Sequence, residues 1–246
     1  MVPVRWGREL AEADDRVAAD DFAPAVLGPL VDLLAELADG GPVVEFGVGT
    51  GRVALPLAAR GLAVQGIELS PEMADQLRAK PGTGAVRVTV GDMTTTRVPG
   101  TASLVYLVAN TIMNVMTQAE QVEVFANAAA HLEPGGVFVI EVVVPSLRRF
   151  PAGETGRVFR LDGDHVGVET LDDPIGQVAS SHHWMAVDGR PVQHSAPYRY
   201  VWPSELDLMA RLTGLRIRER WGGWRREPFT ADSTSHVAVF ERTPMT

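Results

Sequence analysis

A glycine-rich turn between two apolar segments is the feature that most constrains the fold of this chain. Residues 43–51 read Val-Val-Glu-Phe-Gly-Val-Gly-Thr-Gly, an extended apolar run followed by three alternate glycines. Because glycine has no Cβ, such a backbone can turn sharply and approach a ligand closely. Glu68 ends the next apolar run, 21 residues after Gly47 (68 − 47). An acid about 20 residues after the turn binds the ribose in βαβ nucleotide sites, so the spacing predicts a ribose-bearing cofactor.

The spacing of the glycines also distinguishes between cofactors. The dinucleotide fingerprint needs glycine at position 52, where this chain has Arg52. Residues 45–51 resemble motif I of the class I S-adenosylmethionine-dependent methyltransferases, and residues 66–70 resemble the next motif of that family. Gly91-Asp92-Met93 and Pro134-Gly135-Gly136 follow where later motifs are expected, so the resemblance covers about residues 20–145.

The resemblance implies that S-adenosylmethionine is the cofactor and assigns its binding residues. These are Glu45, Gly47, Gly49, Gly51, Glu68, Leu69, Asp92, Met93 and Asn110. The glycines would contact the methionine part, Glu68 the ribose hydroxyls and Glu45 the amino group. Asp92 would face the adenine, and the backbone of Asn110 would lie beneath the transferable methyl group. The alternative for the glycines is a tight turn alone, and the alternative for Asp92 is an aspartate-containing turn.

Composition limits the possible partners. The formal net charge is −9 without a long basic run, which disfavours nucleic acids. The absence of cysteine excludes disulfides and thiolate chemistry, and Lys80 is the single lysine, which leaves almost no candidate for Schiff-base chemistry. No apolar stretch has the length of a membrane span or the layout of a signal peptide. We therefore expect a soluble cytoplasmic protein with a small-molecule acceptor, no membrane or nucleic-acid partner, and a monomeric or homodimeric state.

Strand-like and helix-like segments alternate through the first 145 residues, which predicts a parallel sheet with right-handed crossovers. The predicted strands are 42–47, 62–68, 86–90, 104–108 and 137–144, and the predicted helices are 22–37, 51–60, 70–80 and 118–132. Ser70 before Pro71 is typical of a helix N-cap. We expect the first helix to cover the edge of the sheet, and Pro134-Gly135-Gly136 to separate the fourth helix from strand five.

The second part of the chain predicts an antiparallel insertion. Short β-like runs lie around residues 158–161, 166–168, 181–187 and 198–201, with Asp188-Gly189 as a hairpin signal. A helix from Ser204 to about Gly214 and strands at 215–221 and 236–242 close the chain. With the family resemblance, the fold class is α/β: a Rossmann-like, doubly wound, mostly parallel seven-stranded sheet with an antiparallel β insertion after strand five. We expect one domain over 1–246, with a cofactor-binding core (20–145), the insertion over the acceptor site (146–203) and the closing segment (204–246).

Methyl transfer from a sulfonium is an in-line displacement, so positioning supplies up to about 7–11 kcal/mol of the catalysis. A hydroxyl acceptor benefits from a general base, whereas an amine must be bound in its uncharged form. The candidate bases are His182, His183, Glu141 and Tyr198, with Tyr200 as a further possibility. Because adjacent strand residues point to opposite faces, at most one histidine of the pair faces the pocket, and the two cannot chelate a metal together.

Several of these residues have plain structural alternatives. Glu141 could pair with Arg148 or Arg149, and His131 could complement a helix dipole. We expect His165 and His194 to be solvated beside turns. Six aromatic residues could shape an acceptor pocket or pack in the core: Trp184, Tyr198, Tyr200, Trp202, Trp221 and Trp224.

The leading functional hypothesis is methyl transfer to an oxygen or nitrogen of a small molecule. The chain resembles the amino-sugar and glycine N-methyltransferase branch, which suggests natural-product biosynthesis. One alternative is an NAD(P)-dependent oxidoreductase, which Arg52 and the lack of a Tyr-x-x-x-Lys pair disfavour. The other is a non-catalytic relative that binds the cofactor.

Overall fold

Strands and helices alternate through the first part of the computed structural model, which describes residues 23–146, 149–150, 152–163, 165–187 and 189–243. The strands here are β1 (Val43–Phe46), β2 (Val64–Glu68), β3 (Val86–Val90), β4 (Ala102–Leu107) and β5 (Leu132–Val143). The helices are α1 (Pro24–Ala38), α2 (Ala54–Ala59), α3 (Pro71–Ala79) and α4 (Gln118–His131). Two short 3₁₀ turns lie at Thr83–Ala85 and Thr111–Asn114.

The described residues of the second part form four strands, one helix and a final strand pair. The four strands are β6 (Gly156–Asp162), β7 (His165–Asp173), β8 (Val178–Val187) and β9 (Arg190–Arg199). The closing elements are α5 (Pro203–Leu212), β10 (Leu215–Trp221) and β11 (Ser235–Arg242). No helix among the described residues is both long and apolar enough to cross a membrane.

The central sheet has seven strands in the order β10-β11-β5-β4-β1-β2-β3. Strands β1 to β5 pair in parallel, and β11 and β10 are antiparallel additions beside β5. Strands β6 to β9 form a separate antiparallel sheet, inserted between β5 and α5. The predicted fold class is therefore confirmed.

Helices cover both faces of the central sheet, as a doubly wound fold requires. On one face, α1, α2 and α3 pack against a buried cluster that includes Leu34, Leu57, Leu77 and Tyr106. On the other face, α4, α5 and residues from β8 and the end of the insertion pack around Phe125, which contacts Phe138 edge-on at a ring distance of 5.2 Å. The strands between these layers are apolar on both sides, which explains their continuous hydrophobic runs.

The predicted N-cap of α3 is confirmed. The Ser70 hydroxyl accepts a 3.2 Å hydrogen bond from the Met73 amide, and Pro71 occupies the first turn, where its missing N–H costs nothing. The last helix differs from its prediction. It begins at Pro203, before Ser204, and has no side-chain cap.

Three predictions about the position or the length of an element were wrong for identifiable reasons. Helix α1 packs on a face of the sheet beside β4 and α2 rather than over an edge, because Leu30 and Leu34 face the buried cluster. Strand β5 starts at Leu132, five residues early (137 − 132), because Leu132 already pairs with Ala102. Pro134-Gly135-Gly136 therefore lies within the strand and does not separate it from the helix. Strand β9 is longer than the sequence indicated. The two prolines in this segment make its sequence resemble that of a loop. Because β9 is the edge strand of its sheet, proline is tolerated there.

Candidate active site

The glycine turn after β1 adopts the backbone that its composition predicts. Gly47, Gly49 and Gly51 have φ of 70°, 54° and 87°, a region that other residues enter only with strain. A Cβ on Gly47 would lie 2.7 Å from Thr111, and one on Gly51 would lie 2.9 Å from Leu77. A Cβ on Gly49 would meet nothing within 4 Å. Two of the glycines therefore allow close packing within the protein, whereas Gly49 faces open space.

Glu68 at the end of β2 turns toward this loop. Its side chain is buried, and its two oxygens accept 2.8 Å hydrogen bonds from the amides of Gly49 and Ser70. These bonds hold the carboxylate in a fixed orientation at the carboxyl edge of the sheet. A parallel α/β sheet binds ligands at that edge.

Glu45 on β1 is a second buried acid at the same edge. Burial raises the pKa of Glu45 to about 8, although a hydrogen bond from Tyr106 and the nearby charge of Arg52 act in the opposite direction. The neighbouring Glu68 contributes to the increase. At neutral pH Glu45 is therefore held largely in its protonated form until a cation or a further donor arrives.

Glu45, Gly47 and Gly49 line an opening that we name the glycine-loop cleft, with about 460 Å³ of empty space including its open mouth. Its walls combine the glycine turn with residues of β1, of the segment before α2 and of the loop after β4. They include Glu45, Arg52, Val53, Val108, Ala109 and Thr111. The single lysine supports the turn from behind, because the Lys80 ammonium donates a 2.8 Å hydrogen bond to the Thr50 carbonyl.

Comparison with known proteins identifies the family. A methyltransferase domain model matches residues 43–136. The structure of the CcbJ methyltransferase from Streptomyces caelestis is 35% identical with a TM-score of 0.79, over 88% of this chain and 89% of that one. The chain belongs to the S-adenosylmethionine-dependent methyltransferases. The cypemycin N-terminal methyltransferase of a Streptomyces species is 28% identical over 235 residues, covering 92% of this chain and 95% of that protein.

A more distant structure shares the fold and carries the cofactor. S-adenosylmethionine-bound CalS10, an amino pentose methyltransferase from Micromonospora echinaspora, has a TM-score of 0.65 at 24% identity, over 88% of this chain and 90% of that one. The glycine-loop cleft of the methyltransferase fits this group. Gly49 leaves room for it, and two buried carboxyl groups, Glu45 and Glu68, face the same loop.

The remaining predicted cofactor residues surround the ends of β2, β3 and β4. Leu69 follows Glu68 and is 51% exposed, an apolar surface of the kind that stacks on a base. Asp92 is exposed, and its Oδ1 accepts hydrogen bonds from the amide and hydroxyl of Thr94. This oxygen therefore has the role that the alternative, an aspartate-containing turn, predicts. Met93 packs against the core beneath α4. Their roles toward the cofactor stay predictions.

The loop after β4 separates the cleft from a second cavity. Ala109 and Asn110 have φ of 55° and 61°, and the Asn110 side chain accepts a 2.8 Å hydrogen bond from the Val143 amide. Glu141 accepts a 2.8 Å hydrogen bond from the Ala109 amide. Glu141 therefore shapes this loop, a role that neither predicted alternative included. Arg148 lies outside the described residues, and the Arg149 guanidinium donates to the Ser146 carbonyl.

We name the second opening the insertion cavity, which has about 350 Å³ of empty space including its mouth. It lies between the end of β5, the loop after β4 and the inner face of the inserted sheet. Apolar residues dominate its walls, among them Met113, Val143, Phe150, Leu171 and Ala179. Its polar groups include Glu169, Tyr198 and Tyr200.

Tyr198, one of the predicted catalytic residues, lies in this cavity. Its hydroxyl donates to Glu169 Oε1, while Arg157 donates a 2.7 Å hydrogen bond to Glu169 Oε2. Burial and the bond to Glu169 raise the pKa of Tyr198 well above its ordinary value. Tyr198 therefore stays protonated at neutral pH, which disfavours it as a base that acts alone.

His182 and His183 point to opposite faces of β8. His182 hydrogen-bonds to Thr170 at 3.0 Å and Ser195 at 2.9 Å. His183 shares the face of Ala179, which lines the insertion cavity, but lies four residues farther along β8 (183 − 179). At about 3.3 Å per residue this separation is ~13 Å. Both stay predicted catalytic residues, although neither contacts the cavity.

Of the other two histidines of the insertion, His165 lies beside a turn as predicted, whereas His194 does not. His165 and His194 lie on β7 and β9, and His165 Nε2 is 2.8 Å from His183 Nδ1. Burial lowers the pKa of His183, and the neighbouring imidazoles lower it further. Among the described residues, no group of three or more histidine, aspartate or glutamate side chains is arranged to hold a metal ion.

His131 near the end of α4 has a structural role. Its Nε2 accepts a 3.1 Å hydrogen bond from the Val98 amide, and its Nδ1 lies 2.9 Å from the Asn127 carbonyl. Burial lowers the pKa of His131, which favours the neutral ring that these contacts require. It connects the loop before β4 to α4 rather than complementing a helix dipole as a charged group.

Only two of the six aromatic candidates, Tyr198 and Tyr200, line the insertion cavity. Trp221 and Trp224 pack on the opposite face of the central sheet, and the Arg226 guanidinium lies 5.2 Å from the Trp221 ring. Trp184 is 42% exposed and Trp202 is 38% exposed.

Three residues that line or support the two openings, namely Glu169, Tyr106 and Arg157, were absent from the sequence-based interpretation of the site. Tyr106 contacts Glu45 because β4 pairs with β1 in a register that aligns these positions. The pairing of the inserted strands brings Glu169 to Tyr198 and Arg157 to Glu169. An acidic or aromatic residue within a strand was the available signal, but it does not reveal which neighbour it faces.

Proposed function

We propose that this methyltransferase transfers a methyl group from S-adenosylmethionine to an amine nitrogen of a small molecule, in natural-product biosynthesis. The observation that carries the proposal is the loop of residues 109–114. It contributes Ala109 and Thr111 to the glycine-loop cleft and Met113 to the insertion cavity, so one short segment lies between the two openings. This arrangement supports a cofactor on one side and an acceptor on the other.

The assignment of the cofactor-binding residues follows the family resemblance and the hydrogen bonds of the turn. Glu68, held by the Gly49 and Ser70 amides, would accept hydrogen bonds from the ribose hydroxyls. Glu45 would bind the cationic amino group, and Leu69 with Asp92 would flank the adenine. The loop at Asn110 would lie beneath the methyl group.

When bound, S-adenosylmethionine supplies an electrophilic methyl group on a sulfonium. The protein's part is to hold the acceptor nitrogen in line with that methyl, a positioning effect of up to about 7–11 kcal/mol. The apolar walls of the insertion cavity exclude water, and its few polar groups orient the acceptor. Nitrogen is favoured over oxygen because one relative, the cypemycin enzyme, is named an N-terminal methyltransferase.

Size and charge support a small acceptor. The insertion cavity is small, and the formal net charge of −9 disfavours a nucleic acid. We also propose a cytoplasmic location, since the chain has no cysteine to benefit from an oxidising compartment. A monomer or homodimer remains our expectation for the assembly.

A methyl-transfer panel tests the acceptor class. Glucosamine, a free α-amino acid and a short peptide with a free N-terminus would be compared with glucose, an α-hydroxy acid and the same peptide acetylated at its N-terminus. Mass spectrometry should detect methylation of one or more amines and of none of the matched controls. Methylation of the hydroxyl compounds alone would reverse the choice of nitrogen. Cofactor binding by calorimetry without any methylation would favour the non-catalytic alternative.

A further inference from the structure

We propose that Tyr198 and Glu169 form a relay in the insertion cavity that holds the acceptor amine and receives its proton, with Arg157 as the residue that positions Glu169. The proposal deepens the function proposed above and rests on it. It assigns the acceptor class as a primary or secondary amine, because the nitrogen must carry a hydrogen that Tyr198 can accept.

The hydrogen bonds of the three residues leave the Tyr198 oxygen able to contact a ligand in the cavity. Arg157 engages Oε2 of Glu169 at 2.7 Å, and the Tyr198 hydroxyl donates to Oε1. The Tyr198 proton is therefore committed to Glu169, while the lone pairs of its oxygen remain able to accept a hydrogen bond from a ligand in the cavity. Both Tyr198 and Glu169 line the cavity, whereas Arg157 approaches Glu169 from β6.

The ion pair between Arg157 and Glu169 is largely shielded from water. The side chains of Arg157 and Glu169 are only 19% and 14% exposed, and Arg157 also lies 5.9 Å from the Phe150 ring. A carboxylate in such a site is stabilised by its partners rather than by water. The charged groups that face Tyr198 are Glu169, Arg157 and Arg149, from β7, β6 and the segment after β5. Glu169 is the single acceptor of a proton among them.

The reaction balances with these residues alone. The amine lone pair forms a bond to the methyl carbon as the carbon–sulfur bond breaks, and the sulfonium becomes a neutral thioether. The positive charge passes to the nitrogen, whose N–H proton moves to the Tyr198 oxygen as the Tyr198 proton moves to Glu169. The products are the methylated amine and a protonated Glu169, which later returns its proton to solvent.

The negative charge of Glu169 also stabilises the positive charge that develops on the nitrogen. A tertiary amine lacks the N–H for this contact, and a carboxylate acceptor would be repelled. The structure therefore assigns Tyr198 as the contact residue and Glu169 as a proton acceptor reached through it. His182 and His183 are not needed for this step.

Four variants test the relay: Tyr198→Phe, Glu169→Gln, the double variant, and Asp162→Asn as the control. Asp162 pairs with Arg160 on the same inserted sheet, but these side chains are 58% and 48% exposed. Each variant would be assayed with the amine that the wild type methylates fastest in the panel above. The pH dependence of kcat and the Kd of S-adenosylmethionine would be measured for all of them.

At pH 7, Tyr198→Phe and Glu169→Gln should each lower kcat by about 100-fold, the lower end of general acid–base contributions. The double variant should be no slower than the slower single variant, since the two residues act as a unit. The rates of both single variants should recover as the pH rises toward the pKa of the acceptor amine, because solvent then removes the proton. The Kd of the cofactor should change less than twofold, and Asp162→Asn should match the wild type.

The possible failures are distinct. If the wild type methylates no amine of the panel, the proposed function is wrong and the relay with it. If the wild type is active and both single variants keep its kcat and pH profile, the relay alone is wrong. A loss of rate that no increase in pH restores would assign Tyr198 and Glu169 a structural role and would also overturn the relay.

Discussion

The hydroxyl of Tyr106 donates a 2.6 Å hydrogen bond to Oε2 of Glu45, its direct neighbour on the adjacent parallel strand. Both residues are buried, and the bond lies between the cofactor-binding edge of the sheet and the cluster under α1 and α2. A carboxyl group in this position is neutral at pH 7, because its pKa is raised to about 8, chiefly by burial. A cationic amino group placed beside Glu45 would favour the ionised form. Under the role proposed for Glu45, cofactor binding would be linked to loss of a proton.

We predict that the affinity for S-adenosylmethionine rises with pH between about 6 and 8 and then levels. Calorimetry in two buffers with different ionisation enthalpies should detect proton release at pH 7. Glu45→Gln should remove both the pH dependence and the released proton. Tyr106→Phe should shift the rise to higher pH, because the bond from Tyr106 lowers the pKa of Glu45. Equal proton release by the wild type and Glu45→Gln would exclude Glu45 as the linked group.

Stability should show the opposite dependence on pH at this residue. The pKa of Glu45 is raised from 4.5 to about 8 in the folded protein, so the folded state retains a proton that the unfolded state loses in this range. The free energy of unfolding contributed by Glu45 therefore falls as the pH rises through this window and is constant above it. Glu45→Gln should flatten this part of the profile of Tm against pH.

The second prediction concerns Glu68. Glu68→Ala should weaken binding of S-adenosylmethionine by about 1–3 kcal/mol, the scale for hydrogen bonds to a charged group. Part of this loss reflects the Gly49 amide, which would lose its acceptor. Glu72→Ala is the matched control. Glu72 is an exposed acid nearby that contacts the Ser70 hydroxyl rather than the loop. Calorimetry should find the control unchanged, and an unchanged Kd in Glu68→Ala would contradict the ribose role.

The cofactor half of the site could be predicted from sequence because its chemistry lies in short spacings. The glycine turn, the buried acid of β1 and the acid that ends β2 all belong to one βαβ unit, whose geometry is nearly invariant. The acceptor half could not. Tyr198 and Glu169 are 29 residues apart and meet across the intervening strand β8. A register shift between Leu171 and Asp173 changes which residues face each other, and turn composition alone does not reveal it.

The third prediction separates the two interpretations of the glycine turn. Gly49→Ala should reduce the free energy of unfolding by about 1–2 kcal/mol, since an L residue is strained at its φ of 54°. The added methyl would project into the glycine-loop cleft, so the Kd of S-adenosylmethionine should rise by more than about tenfold, or about 1.4 kcal/mol of binding free energy.

Gly61→Ala provides the matched control. Gly61 has a φ of 88°, and a Cβ there also meets nothing within 4 Å, but it lies at the end of α2, outside the cleft. It should share the loss of stability in chemical denaturation and keep the affinity for the cofactor. If both variants bind the cofactor equally well, Gly49 serves the turn alone.

The final prediction concerns the buried ion pair that fastens the insertion to the closing helix. Arg199 at the end of β9 lies 2.6 Å from Glu205 on α5, and its second nitrogen donates a 2.5 Å hydrogen bond to Gln121 on α4. The two side chains of the pair are only 5% and 11% exposed. Arg199→Met would leave Glu205 as an uncompensated buried charge, which costs about 3–5 kcal/mol. Chemical denaturation should measure this loss.

The surface pair Arg60–Asp32 supplies the control, since its side chains are 41% and 68% exposed. Asp32→Ala should cost less than about 1 kcal/mol.

Acid should affect the wild type through Glu205. Burial raises the pKa of Glu205, but hydrogen bonds from Gln177, Arg199 and Gln118 outweigh it and lower the pKa below 4.5. Its contribution is therefore present above pH 4.5 and lost as the pH falls through the folded value. In Arg199→Met that loss should begin at a higher pH. Denaturation midpoints that decline in parallel for both proteins would show that the pair does not set the acid stability.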